Sequence, residues 1–149
     1  MKDIAIANCA TIGGSEIRQS ENRFVIKPVV GLGEGERCAV HFVEVGPGNS
    51  AFGYHWHEMN EEVFYIISGS GIVRTEKGAL AVKAGDAIAF PAGKSGAHSI
   101  RNASDSEKLV YIDFDAVNIP DLVHLPDIGK AMYTGPHSSG MIDEPETTA

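Results

Sequence analysis

A chain of 149 residues is the size of one domain and long enough to bury a core without disulfide staples. Lysine and arginine number 12 against 20 aspartates and glutamates, so no basic face is expected that could displace counterions from nucleic acid. No apolar run approaches the roughly 20 residues needed to span a bilayer. The chain opens without a basic-then-apolar leader, and Cys9 and Cys38 lack metal-like spacing, which points to a cytoplasmic protein with reduced thiols.

Residues 1–22 are glycine-rich and polar with little periodicity, as expected of an N-terminal arm that packs on the domain or on a partner subunit. From 23 to 115, glycine and proline punctuate short β-like runs, and no amphipathic helical pattern of useful length occurs. Strands are expected at 23–27, 37–45, 53–57, 62–68, 71–76, 79–83, 87–91, 98–102 and 108–115. Turns are expected at Glu76-Lys77-Gly78 and Lys83-Ala84-Gly85-Asp86. The fold class is therefore all-β, a barrel or sandwich. Residues 116–136 carry three prolines and scattered apolar anchors such as Val117, Leu122 and Val123, and are expected to wrap the barrel exterior as a C-terminal extension. Residues 137–149 offer almost nothing to bury and are expected to form a disordered tail.

Two short stretches carry the chemistry. In the first, His55-Trp56-His57 precedes Glu62-Val63-Phe64-Tyr65-Ile66. Side chains alternate faces along a strand, so His55 and His57 point the same way with Trp56 opposite. If Phe64 and Ile66 face the interior, Glu62 faces it too and Glu61 is solvated. In the second stretch, Pro91-Ala92-Gly93 leads to His98 and Asn102. Three imidazoles and a carboxylate facing an apolar interior would be costly unless paired, and a shared cation removes that cost. Such a set, with positions left open, suits zinc, iron, nickel or manganese.

These stretches resemble the two sequence motifs of the cupin superfamily. In the first motif, His-x-His is followed by three or four residues, Glu, six residues and Gly. The spacing from His57 to Glu62 and from Glu62 to Gly69 fits and favours Glu62 over Glu61, while the leading Gly48 stands one residue further from His55 than is usual. In the second motif, Gly85, Pro91, Gly93, His98 and Asn102 match, with a gap at 94–97 two residues longer than usual. The resemblance covers residues 37–115 and is strongest to small single-domain bacterial cupins of the conserved-barrel type. It implies a double-stranded β-helix, or jelly-roll, barrel with a divalent metal ion on His55, His57, Glu62 and His98.

Other residues are weighed singly. His41, His124 and His137 are structural or exposed by default, although His41 would face inward if Val43 and Val45 do. An anionic substrate would need a local base such as Lys94 or Arg101. Trp56 and Tyr65 are expected to face outward, which suggests a homodimer. Asn102 is expected to tie its loop by hydrogen bonds. The candidates for proton transfer are His41, Tyr54 and Tyr65. The resemblance places isomerisation or epimerisation of a sugar phosphate or sugar acid first. Fe(II)-dependent dioxygenation and metal-dependent small-molecule binding without turnover are the alternatives.

Overall fold

The computed structural model describes residues 3–32, 34 and 37–144. The described residues form thirteen strands: β1 Ser15–Gln19, β2 Asn22–Val30, β3 Cys38–Val45, β4 Ser50–His57, β5 Glu62–Ser68, β6 Ser70–Thr75, β7 Gly78–Lys83, β8 Ala87–Phe90, β9 His98–Arg101, β10 Leu109–Ala116, β11 Asp121–Leu125, β12 Lys130–Thr134 and β13 Ser139–Asp143. One layer runs β1-β2-β3-β10-β5-β8 and the other β13-β12-β11-β4-β9-β6-β7. A single parallel bridge, Asn22 to Ser50, links them. Layers closed in this way form a jelly-roll barrel. Among the described residues, no helix is long and apolar enough to cross a membrane.

The inner faces change character along their length. On β3, Val45 and Val43 lead to His41; on β10, Leu109 and Tyr111 lead to Asp113; on β5, Ile66 and Phe64 lead to Glu62. Cross-strand register aligns these changes, pairing Val43 with Tyr111, His41 with Asp113, and Glu62 with Asp115. Phe24, Val73, Val82, Phe90 and Ile100 complete the apolar end. The barrel is thus a packed core at one end and a polar-floored cavity at the other.

All nine strands expected between 23 and 115 are present, with ends moved by a few residues. The two flanks also carry strands. β1 lies inside the expected arm and pairs along its length with β2, while Ile4 and Ile6 stay exposed. Residues 116–136 include β11, which adds to the edge of β4, and Val123, Leu125, Met132 and Thr134 of this segment line the cavity. Within the expected tail, β13 pairs with β12 through the backbone. That pairing needs no apolar side chains, which is why composition did not signal it. Residues 145–149 lie outside the described residues.

Candidate metal centre

A bulge in β4 sets the site. Phe52 and Gly53 both have positive φ, 61° and 75°, and the register to β9 slips between Ala51 and His55 so that His55 stands opposite His98. Their rings lie 4.7 Å apart between centroids. The longer gap at 94–97 becomes a short 3₁₀ turn, Lys94–Gly96, whose last carbonyl accepts a hydrogen bond from His98 Nδ1 at 2.8 Å. Only glycine fits there, because a Cβ on Gly96 would come within 1.9 Å of the Pro91 carbonyl oxygen. His98 also stacks flat on Phe90 at 3.5 Å.

Glu62 is buried at the centre of the group and Glu61 is exposed. Nε2 of His98 lies 3.3 Å and Nε2 of His55 3.5 Å from Glu62 Oε2, and Nε2 of His57 lies 3.7 Å from Oε1. Ligand atoms of His55, Glu62 and His98 all fall within 4.8 Å of one another, with His57 at the rim, next to the other carboxylate oxygen.

Each imidazole has its Nδ1 engaged, by the Gly53 carbonyl at 3.1 Å, the Gly96 carbonyl at 2.8 Å and Asp121 Oδ2 at 2.6 Å. Carbonyls only accept, so Nδ1 carries the proton in His55 and His98, and Nε2 presents its lone pair to the carboxylate. Lone pairs facing carboxylate oxygens at these distances repel unless a proton or a metal ion lies between them. Among the described residues, His98 Nε2 is buried with no hydrogen-bond partner. The donor set therefore fits a divalent ion.

The model of the cupin domain family matches residues 41–115, half of the chain. The chain belongs to this family. As a cupin it shares its fold, at TM-score 0.80, with the crystal structure of a candidate sugar phosphate isomerase from Acidithiobacillus ferrooxidans, 24% identical over 93% of this chain and 91% of that one. A sugar phosphate isomerase of the cupin superfamily from Silicibacter pomeroyi gives a TM-score of 0.77 at 17% identity, covering 95% of this chain and 96% of its own. An oxalate-binding protein from Thermotoga maritima is 34% identical over 61 residues, 41% of this cupin, and the match spans only about half (49%) of that relative's length.

The electrostatics of the cupin cavity follow from burial. Burial would raise the Glu62 carboxyl, but contact with His55 and the charges of His98 and His57 outweigh it and hold the group well below the usual carboxylate range. For His55, burial opposes protonation and the contact with Glu62 reverses the balance, raising it. Burial dominates at His98 and lowers it to about 4. Asp113 is raised well above its ordinary value, first by burial and then by the charges of Asp115 and Glu62. Asp115, beside Glu62, is raised to about 8 by burial and by that neighbour.

Of the groups considered for proton transfer, His41 is buried and lines the cavity. Tyr54 and Tyr65 do not line it. Alternation turns both outward, Tyr65 between Phe64 and Ile66, and Tyr54 beneath the Arg74 guanidinium at 4.0 Å. Lys94 and Arg101 are also outside the cavity; the Lys94 ammonium is exposed and faces Glu76 at 3.8 Å. Trp56 points outward as expected but is covered by its own chain, stacked at 3.7 Å on His124 of β11. His124 in turn bonds Glu58 and Glu144. Asn102 ties its loop through the Val45 and Glu107 carbonyls.

Sequence reasoning missed three acids in this cavity. Asp121 receives His57 Nδ1, the Met59 amide and Asn60 Nδ2, holding one imidazole from a strand 64 positions away. No local signal marks it. Asp113 and Asp115 continue the inward alternation from Leu109 and Tyr111, a pattern that was present in the sequence.

Proposed function

We propose that this cupin holds a divalent ion on His55, His57, Glu62 and His98 and uses it to bind and isomerise a small molecule with two neighbouring oxygens, such as a hydroxy ketone or a sugar acid. The observation that carries this reading is the convergence of three Nε2 lone pairs on one buried carboxylate, with His98 Nε2 otherwise partnerless. A bound ion would supply Lewis acidity, making the C–H or O–H between chelating oxygens easier to remove. The protein's part is orientation and dryness. The Gly53 and Gly96 carbonyls and Asp121 fix the rings, and Ile26, Val117, Val123 and Met132 wall a cavity of about 260 Å³.

Among the described residues, no lysine or arginine lines that cavity. A phosphate would find no counter-charge beyond the ion, so an unphosphorylated hydroxy carbonyl or sugar acid fits better than a sugar phosphate. Likeness to an oxalate-binding protein supports a second reading, chelation of a small ligand without turnover. The experiment loads the protein with iron(II), manganese(II) or zinc(II) and assays hydroxy ketones and sugar acids under air and under nitrogen. Turnover indifferent to oxygen is expected. Turnover that requires iron and oxygen would replace isomerase with dioxygenase. A melting temperature raised by oxalate or a hydroxy ketone, without turnover, would support the binding protein.

We also read the outer face of β5 and β10 as a homodimer surface, because Val63 and Phe114 pair across strands and stay exposed beside Tyr65. Light scattering should give twice the chain mass of 15.8 kDa. A monomer at micromolar concentration would overturn it.

A further inference from the structure

A second group of ligand atoms lies in the same cavity. Those of His41, Asp113 and Asp115 are all within 4.8 Å of one another. Strand pairing builds the group: His41 and Asp113 are cross-strand partners, and Asp115 is the next inward position on β10. His41 and Asp113 are only 6% and 3% exposed, and both His41 Nδ1 and Asp113 Oδ1 are buried without a hydrogen-bond partner among the described residues. The nearest approach recorded between His41 and Asp115, Nδ1 to Oδ2, is 3.8 Å, too long for a hydrogen bond but suited to two atoms that share a third.

Charge leads to the same conclusion. Four carboxylates line the cavity, Glu62, Asp113, Asp115 and Asp121, and no lysine or arginine among the described lining residues answers them. Glu62 has three imidazoles, and Asp121 has His57, an amide and Asn60. Among the described residues, His41 is the imidazole grouped with Asp113 and Asp115, and Asp115 also touches Glu62. Buried carboxyls without a counter-charge hold their protons, and a divalent cation that displaced those protons, held between two carboxylates and one neutral imidazole, would give a net charge of zero.

We propose that His41, Asp113 and Asp115 form a second divalent-cation site beside the histidine-rich centre. Its donors are two carboxylates and one imidazole, an oxygen-rich set that suits manganese(II) or iron(II), whereas the neighbouring centre offers mostly nitrogen. The two sites share no ligand, so each stands without the other. Asp115 touches Glu62, which puts both ions within reach of one chelating substrate.

The test is manganese(II) stoichiometry by equilibrium dialysis on chelator-stripped full-length protein, with electron paramagnetic resonance for spin coupling between neighbouring ions. Two equivalents per chain and a coupled spectrum are expected. His41→Gln, Asp113→Asn and Asp115→Asn should each leave one equivalent and an uncoupled spectrum, and His98→Ala should leave the other. Circular dichroism identifies the variants that fold, and any one of the three suffices. One equivalent in the wild type, lost in His98→Ala and kept in His41→Gln, overturns the second site and leaves the first standing. One equivalent kept in His98→Ala and lost in His41→Gln does the reverse. No bound manganese overturns both.

Discussion

His57 donates its Nδ1 proton to Asp121 Oδ2 across 2.6 Å, joining the end of β4 to the start of β11. A carboxylate behind an imidazole fixes its tautomer and strengthens Nε2 as a donor, and losing such a partner typically costs about 10- to 100-fold in metal affinity. Asp121→Asn is therefore expected to weaken zinc binding by about that factor, measured by competition with a chromophoric chelator. His57→Ala should weaken it more. Unchanged affinity in both variants would remove His57 from the centre.

Glu62 and Glu61 are adjacent in sequence and opposite in environment, one 6% exposed and the other in solvent. Glu62→Gln should abolish stoichiometric metal at the histidine-rich centre while the barrel stays folded, because no apolar contact is removed. Glu61→Gln should leave metal content unchanged. Equal losses, read by elemental analysis of each purified variant, would contradict the inward assignment of Glu62.

Gly96 sits where a Cβ would meet the Pro91 carbonyl oxygen at 1.9 Å. Backbone cannot yield as a flexible side chain can, so Gly96→Ala must shift the turn that anchors His98. Overpacking of this kind costs about 1–3 kcal/mol, a fall in melting temperature of several degrees for a chain of this size. Calorimetry should show that fall together with weaker metal binding. A neutral substitution would mean that the turn and His98 move independently.

Away from the cavity, Glu44 accepts Lys27 Nζ at 2.5 Å and Lys108 Nζ at 3.1 Å. Burial pushes this carboxyl up, but the two ammonium groups outweigh burial and leave it below its ordinary value of 4.5. A folded-state value below the unfolded one gives stability that is present above pH 4.5 and lost as pH falls through the folded value. Glu44→Gln should lower stability at pH 7 by about 0.5–1.5 kcal/mol. Denaturant melts at pH 7 and pH 3 should show that difference shrinking in acid; a constant difference would assign it to packing.

The parts of this molecule that could be read from sequence are those whose cause is local. His55, His57 and Glu62 lie within eight residues and obey strand alternation, and His98 follows a Pro-x-Gly turn, so their common face could be inferred before any fold was known. The barrel strands from β2 to β10 carry the β-branched and aromatic alternation that burial on one face demands. Asp121 is different: it meets His57 only because β11 docks on the edge of β4, and nothing near Asp121 marks that pairing. β1 and β13 are held mainly by backbone pairing, which many side-chain patterns allow. Asp113 and Asp115 stand between these cases. Their period-two spacing continues that of Leu109 and Tyr111, but an acidic pair near a strand end also reads as solvated surface.

The docking of β11 on β4 makes the last third of the chain a thermodynamic partner of the centre. Whatever free energy an ion gains from His57 when Asp121 is in place is returned, by linkage, as resistance of β11 to peeling away. Filling the centre should slow amide exchange in a strand that touches the ion through no ligand of its own. Conversely, anything that loosens β11 from β4 should weaken metal binding at the proposed centre.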